Sequence, residues 1–167
     1  MLKELCIENV AIVKKECVVF DKGFSVLTGE TGAGKSIVID SIGLIMGARA
    51  SKELIRSGED TASVSALFTN ISKDESIKLA ELGFAPEEDN TLFIRREISV
   101  SGSSTAKING KSVSISILRE VGEFLINIHG QHASQALLDE ENHILYLDAM
   151  ADNAAELKEY GEIFAEY

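Results

Sequence analysis

The sequence has no apolar run long enough to cross a bilayer. A spanning helix needs about 20 consecutive apolar residues, and the apolar stretches here are far shorter. The first residues, MLKELCIENVAIVKK, also lack the apolar core of a secretory signal and carry Glu4 and Glu8. We therefore expect a protein that is neither embedded in a membrane nor exported.

Cysteine is scarce, with only Cys6 and Cys17 in 167 residues. A disulfide between them is one alternative. A domain of this length buries enough apolar surface to fold without covalent links, and a cytoplasmic protein keeps its cysteines reduced. The sequence therefore favours two buried thiols on predicted strands.

Positive charge is also in short supply. Sixteen basic residues against 27 acidic ones give a formal net charge of -11. A chain this acidic is unsuited to wrapping nucleic acid by bulk electrostatics. A role in DNA metabolism stays open if another segment makes the phosphate contacts.

Apolar residues make up 45% of the chain, which indicates a folded domain, and their spacing predicts its elements. Strands are predicted at 2–8, 16–20, 24–28, 63–68, 91–99 and 105–110, with a short buried strand at 124–128. Helices are predicted at 35–46, 73–82 and 112–121. The first helix is expected to be largely buried, because its apolar residues leave little polar face. Gly83 is a candidate helix C-cap, and Asn109-Gly110 predicts a tight turn.

The stretch GETGAGKS, residues 29–36, lies between a predicted strand and a predicted helix and matches the phosphate-binding pattern G-x-x-x-x-G-K-[ST]. Glycines let backbone N–H groups approach a phosphate chain that a Cβ would obstruct. The following helix directs its N-terminal N–H groups and dipole at the same phosphates. Lys35 supplies a positive charge, and Ser36 offers a hydroxyl to Mg²⁺. The candidate nucleotide-binding residues are Gly29, Glu30, Thr31, Gly32, Ala33, Gly34, Lys35, Ser36 and Ile37.

The acidic half of a hydrolytic site is missing. The segment ILYLDAM, residues 144–150, resembles a Walker B strand ending in an acid. However, Asp148 is followed by alanine instead of a second acid, and the segment runs into a heptad pattern, so we predict a helix. A guanine-reading N-K-x-D motif is also absent. Arg95 and Arg96 are candidate kinase arginines, but adjacent strand residues point to opposite faces, which leaves at most one for a site.

The stretch INIHGQHASQALLD, residues 126–139, is the second informative segment. His129 and His132 are spaced for a metal, but no cysteine lies nearby, and a metal site is disfavoured. Gln131 follows a predicted strand and precedes a predicted helix, where an amide can coordinate Mg²⁺ or orient an attacking water. The residues alone favour an ordinary polar loop over this role.

A heptad pattern runs through the last part of the chain. Its positions are Leu147, Met150, Ala154, Leu157, Gly161 and Phe164. Because the pattern lasts less than three heptads, it leaves open both the start of a coiled coil and an ordinary amphipathic helix. It is still running at Tyr167 without a cap or breaker, so we expect a helix that has been cut.

Several of these stretches together resemble the N-terminal portion of the RecN family, bacterial DNA double-strand-break repair ATPases that belong with the SMC-like, ABC-type heads. The resemblance is carried by IENVAIV, GETGAGKSIVIDSI, RREIS, KINGKSV and IHGQHASQALLD. The phosphate-binding motif alone is generic. IHGQH together with INGKSV at these spacings is much more specific.

The resemblance implies an α/β P-loop NTPase half-head over residues 1–139, with a mixed β-sheet and an antiparallel β lobe. Residues 140–167 would be the helix that begins a coiled coil. ATP and Mg²⁺ are the implied cofactors, with Gln131 as the Q-loop residue at Mg²⁺ or the attacking water. Arg56, in KELIRSGE, matches the position of an arginine that reaches the nucleotide in SMC-type heads, although a solvated surface arginine remains an alternative.

The same resemblance implies a split head. The signature motif, Walker B and catalytic glutamate would follow in a C-terminal half, so no general base is assigned in this chain. The implied partners are that half, a second head in a homodimer, and double-stranded DNA in the full-length protein. The implied location is the bacterial cytoplasm, in association with the nucleoid.

Three functions remain open from the sequence. The chain is half of an ATP-hydrolysing repair head, a nucleotide-gated DNA clamp in which hydrolysis is only a reset, or a fragment of a transporter-type ABC ATPase. A transporter subunit would carry the signature motif and Walker B directly after Gln131, and the stretch to Tyr167 contains neither. The first two readings differ in whether repair needs turnover.

Overall fold

A computed structural model describes residues 1–28 and 34–126 continuously, together with isolated residues between 144 and 164. The chain divides into two compact units, Met1–Asn127 and Ile128–Tyr167. The strands of the first unit are β1 (Leu2–Val10), β2 (Val13–Val19), β3 (Thr61–Phe68), β4 (Leu92–Ser99), β5 (Ser104–Ile108) and β6 (Lys111–Val113). Its helices are α1 (Lys35–Ile45), α2 (Lys73–Glu81) and α3 (Ile115–Leu125), with a 3-10 turn at Lys52–Leu54.

The six strands form one antiparallel sheet in the order β2-β1-β3-β4-β5-β6. Side chains alternate between its two faces, so the buried residues of β4 are every second one, from Leu92 to Ile98. Helix α1 packs against β1, β3 and β4. The antiparallel lobe of the predicted fold is thereby confirmed, and every strand pair within the described residues is antiparallel.

Two tight turns of the sheet differ in how clearly the sequence marks them. Asn109 and Gly110 have φ of 45° and 78°, as a two-residue hairpin turn with both central residues left-handed requires. This confirms the predicted turn. The β1–β2 turn instead lies between the paired residues Val10 and Val13, and its Ala11 has φ of 50° without any glycine to mark it.

Helix α2 is capped at both ends by local hydrogen bonds. At its start the Ser72 hydroxyl accepts a bond from the Glu75 amide, and the Glu75 carboxylate accepts one from the Ser72 amide. At its end Gly83 N–H donates to Ala80 O at 3.0 Å and Phe84 N–H to Leu79 O at 2.8 Å. The second pattern is a Schellman motif, which confirms Gly83 as the C-cap glycine.

Because of this cap, the free energy of unfolding depends on pH in the acid range. Partial burial pushes the pKa of Glu75 upward, but hydrogen bonds from Ser72 and the charged chain terminus outweigh it and lower the pKa. The folded-state pKa therefore lies below the unfolded value. The stabilisation is complete above the unfolded pKa and is lost as pH falls through the folded pKa.

We expect Glu75→Gln to flatten the acid limb of the stability curve, because glutamine keeps the capping geometry and removes the titration. The measurement is the free energy of unfolding in denaturant between neutral pH and pH 3. Parent and variant curves that run parallel over that range would contradict the assignment.

Two predicted strands are wrong. Residues 24–28 carry no strand, and Phe24, Val26 and Leu27 are 91%, 64% and 42% exposed. A strand needs a neighbour for its N–H and C=O groups, and the described residues supply none for this segment. Phe124 and Leu125 close helix α3 instead of starting a strand, because a short apolar run does not separate helix from strand. Positions 127 and 128 fall outside the described residues.

The expectation that α1 is largely buried is also wrong. Only Ser41, Leu44 and Ile45 are buried, and Ile39 is 52% exposed. One face of the helix packs on the sheet. The described residues leave much of its remaining apolar surface uncovered.

The two cysteines form a disulfide between β1 and β2, so the expectation of free buried thiols is wrong. The antiparallel register places Cys6 directly opposite Cys17, which brings their sulfur atoms together. Cys6 is half-buried and Cys17 is exposed. The sequence prediction failed because it did not place the β1–β2 turn, which sets this register.

In the second unit the described residues of segment 144–150 are helical, in agreement with the helix predicted there. Glu162–Phe164 are helical as well. Whether this unit starts a coiled coil stays a prediction, as do the domain limits 1–139 and 140–167. Within the described part of the chain, no helix has the length and apolar character needed to span a membrane.

Candidate functional site

The N-terminus of α1 differs from those of the other α-helices. Ser72 caps α2 and Ser114 caps α3 with their hydroxyls. The N-cap of α1 is Gly34, which has no side chain to accept a hydrogen bond. Within the described residues, no other side chain caps the first N–H groups of this helix, and its first turn contains no acidic residue. These donors and the positive end of the helix dipole are suited to an anion.

A cavity of about 370 Å³ opens beside this helix start. It lies between β1–β2 on one side and the start of α1 with the segment before it on the other. Its lining residues are Ile7, Val13, Glu16, Val18, Leu27, Thr28, Gly34, Lys35, Ile37 and Val38. Mostly apolar walls with a few polar groups at one place are typical of small-molecule sites of this size. Lys35 is the only cation among these lining residues.

The structure brings part of the predicted nucleotide site together. Gly34, Lys35 and Ile37 line the cavity, and Ser36 lies exposed in the first turn of α1. The other predicted residues of the motif, Gly29, Glu30, Thr31, Gly32 and Ala33, lie outside the described residues, and so does Gln131.

Arg56 lies against the tip of the β1–β2 hairpin. Its backbone N–H donates to Asn9 O at 2.9 Å, and its guanidinium donates to Ile12 O. The next residue along the chain, Val13, lines the cavity, whereas Arg56 is not among the lining residues. The structure therefore shows Arg56 fixing the hairpin beside the cavity, and its predicted contact with nucleotide stays a prediction.

Arg96, one of the two candidate kinase arginines, lies at the end of α1 opposite the cavity. It is 3% exposed, and Nη1 donates to Leu44 O at 2.8 Å and to Ala48 O at 2.6 Å, at the C-terminal end of α1. Burial first, and then the nearby Arg119, lower the pKa of Arg96, but a guanidinium stays protonated in proteins. Arg95 points to the opposite face and is exposed beside Glu97, which confirms that at most one of the two arginines can serve a site.

Helix α3 approaches the same end of α1 at two glycines. A Cβ on Gly47, which has φ of 84°, would lie 2.9 Å from the backbone of Arg119. A Cβ on Gly122 would lie 2.8 Å from the Cα of Met46. Only glycine allows this approach. Arg119 adds a bond from Nη2 to Gly47 O at 3.3 Å.

Comparisons with known proteins agree with a nucleotide-binding fold. The family described as AAA domain matches residues 4–166 of the chain. The chain belongs to the AAA domain family. Its sequence is 46% identical to DNA repair protein RecN of Halalkalibacterium halodurans over 100% of the chain. The chain spans about 30% of the length of that relative.

Solved structures show the same fold. An Smc head domain with an extended coiled coil from Pyrococcus furiosus, bound to the C-terminal domain of ScpA, superposes with a TM-score of 0.65 at 23% identity. The match covers 99% of this chain and 48% of that one. A structure described under ATP-driven dimerization and DNA-stimulated activation of SMC ATPases has a TM-score of 0.62 at 23% identity, covering 89% and 98% of the two chains. The chain thus has the fold of an SMC-type ATPase head.

Proposed function

We propose that this chain is the ATP-binding half of an SMC-like ATPase head that acts in bacterial DNA double-strand-break repair and recombination. The observation that carries the proposal is the cavity at the uncapped start of α1, with Lys35 in its wall. The relatives, described as DNA repair proteins, support the repair role. As its resemblance implies, the protein would act in the cytoplasm, in association with the nucleoid.

The described residues fit Mg-ATP. The first N–H groups of α1 and the Lys35 ammonium would hold the phosphates, in a cavity whose mostly apolar lining also contains the acid Glu16. Glycine at position 34 keeps a side chain away from that approach. The Ser36 hydroxyl and the Gln131 amide would be ligands of Mg²⁺. Bound Mg²⁺ would neutralise part of the negative charge of the phosphates while the terminal phosphoryl group is transferred to water.

Uncovered apolar surface supports a missing half of the head. Among the residues that the structure describes, Phe24, Val26 and Leu27 have no strand partner where they lead into the phosphate-binding loop, and Ile39 on α1 is exposed nearby in sequence. A monomeric surface seldom leaves such a segment uncovered without an interaction partner. We assign this partner to the protein's own C-terminal half, which would also supply the signature motif and the Walker B acids.

The remaining partners are a second head and DNA. ATP bound between two heads would bring them together in a homodimer, as the described ATP-driven dimerization of the SMC ATPases suggests for this fold. The net charge of -11 makes this chain a poor DNA-binding surface by itself. Double-stranded DNA would therefore be engaged by the complete dimer, with the segment 140–167 leading into the coiled coil.

Gln131 gives the test of this proposal. In the full-length protein, Gln131→Ala should reduce kcat for ATP by roughly 100-fold while changing nucleotide affinity much less, because an amide that orients water acts mainly in the transition state. Steady-state hydrolysis and calorimetric titration with Mg-ADP measure the two quantities.

Gln135→Ala, a change to the same residue type four positions further along, is the matched control and should hydrolyse ATP at the parental rate. If Gln131→Ala also keeps the parental rate, Gln131 belongs to an ordinary polar loop. A full-length parent that neither binds nor hydrolyses ATP would overturn the proposed function itself.

A further inference from the structure

Arg96 occupies a core position that the alternation of β4 would give to an apolar residue. Ile94 and Ile98, two residues to either side on the same face, are buried, as is Arg96 itself. Its hydrogen-bond partners in the described part of the chain are backbone carbonyls and the Ser104 hydroxyl, without a carboxylate. A buried cation without a counter-ion carries a desolvation penalty that an apolar side chain of similar volume avoids. Core packing alone therefore does not explain an arginine here.

The partners of Arg96 are the carbonyl groups at the negative end of the α1 dipole. The last turn of α1 contains no basic residue of its own. Arg96 supplies the complementary charge from β4, 52 positions further along the chain than Leu44. Its Nε also donates to Ser104 Oγ at 3.1 Å, which ties the guanidinium to the neighbouring strand β5. The end of α1 is thus held to two strands of the sheet through one planar group.

A displacement at one end of a rigid helix moves the other end as well. Helix α1 has 11 residues and a length of about 16 Å, and its hydrogen bonds make it a rigid rod. Lys35 and Ser36 form its first turn. Gly47 and Gly122 bring α3 into close contact with the residues at the C-terminal end, so a second element packs on that end. The bonds from Arg96 join its carbonyls to the sheet, so a movement of α1 along its axis would have to break them.

We propose that Arg96 is a positioning residue for the nucleotide phosphates: it sets the axial position of α1 on the sheet and thereby the position of Lys35 and Ser36. The proposal rests on the proposed nucleotide-binding function. A shift of α1 by a fraction of one residue's rise would move both phosphate-binding side chains together. Displacements of about 1 Å in such groups reduce function by up to about 100-fold.

The test uses the full-length protein and separates nucleotide binding from stability. Arg96→Met keeps the volume and removes the donors, so we expect the Kd for Mg-ADP, measured by calorimetry well below the melting temperature, to rise about 10-fold or more. Arg96→Lys retains a charge within reach of the carbonyls but loses the bond to Ser104, and it should recover part of the affinity. Both variants should remain folded in circular dichroism.

Two controls decide between positioning and stability. Arg95→Met changes the exposed neighbour on the other face and should keep the parental Kd. Leu79→Ala removes buried volume in α2 and should lower the melting temperature at least as much as Arg96→Met without raising the Kd. Parental affinity in Arg96→Met, or an equal rise of Kd in Leu79→Ala, would overturn the inference. A parent that binds no Mg-ADP would instead overturn the proposed function, and this inference with it.

Discussion

Replacing Lys35 with alanine is expected to weaken the binding of ATP and ADP by roughly 10- to 150-fold and to leave the fold intact. Lys35 is the only cation among the described residues that line the cavity. A hydrogen bond to a charged group contributes about 1.5–3 kcal/mol, and each 1.4 kcal/mol corresponds to about a factor of ten in affinity. Calorimetric titration with Mg-ATP and Mg-ADP measures the loss.

The fold should survive because alanine is the best helix former and Lys35 begins a helix. Circular dichroism melting of the variant checks this expectation. Lys111→Ala, which removes an exposed lysine from the edge strand β6, is the matched control for the loss of one positive charge. Equal nucleotide affinity for Lys35→Ala and the parent would mean that the phosphates lie elsewhere.

The local features of this chain were predictable because their causes are local. Strands β3 and β4 alternate apolar and polar residues, and the Asn109-Gly110 turn depends on two neighbouring residues that tolerate positive φ. The phosphate-binding motif is likewise contained in residues 29–36, so its chemistry could be derived without knowing the sheet. The described part of that motif lies at the start of a helix and beside a cavity.

The features that sequence missed depend on residues far apart. Arg96 reaches carbonyls 52 and 48 positions away, and nothing in RREIS indicates that one arginine will cap another element. The disulfide depends on a turn at Ala11 that lacks glycine. Segment 24–28 has the composition of a strand, but the described chain offers it no partner. Phe24, Val26 and Leu27 are apolar like the residues of a buried strand, but they remain exposed because a strand is buried only where a neighbouring element packs on it.

Nucleotide binding and ATP hydrolysis should separate in this chain. Because this chain would supply only one face of the proposed phosphate site and has no acid assigned to position water, the chain alone should bind Mg-ATP modestly and hydrolyse it at close to background. Adding the C-terminal half in trans, or joining it by a short linker, should raise ATP turnover by at least about 100-fold, since positioned acid–base groups contribute 10²–10⁴-fold. Phosphate release assays measure the rate.

The completed head should also pair in the presence of ATP, which sedimentation velocity with and without nucleotide would detect. The added C-terminal half should cover Phe24 and Leu27 and shield them from solvent. Slower amide hydrogen exchange in segment 24–28 of the completed head than in the chain alone would show this. The control is the Lys35→Ala variant of this chain mixed with the same C-terminal half, which should show neither ATP turnover nor pairing.

Steady ATP hydrolysis by the chain alone, abolished by Lys35→Ala so that a contaminant is excluded, would contradict the split design. Asp148 would then be the first candidate for the catalytic acid, and the helix at 144–150 would have to be reconsidered.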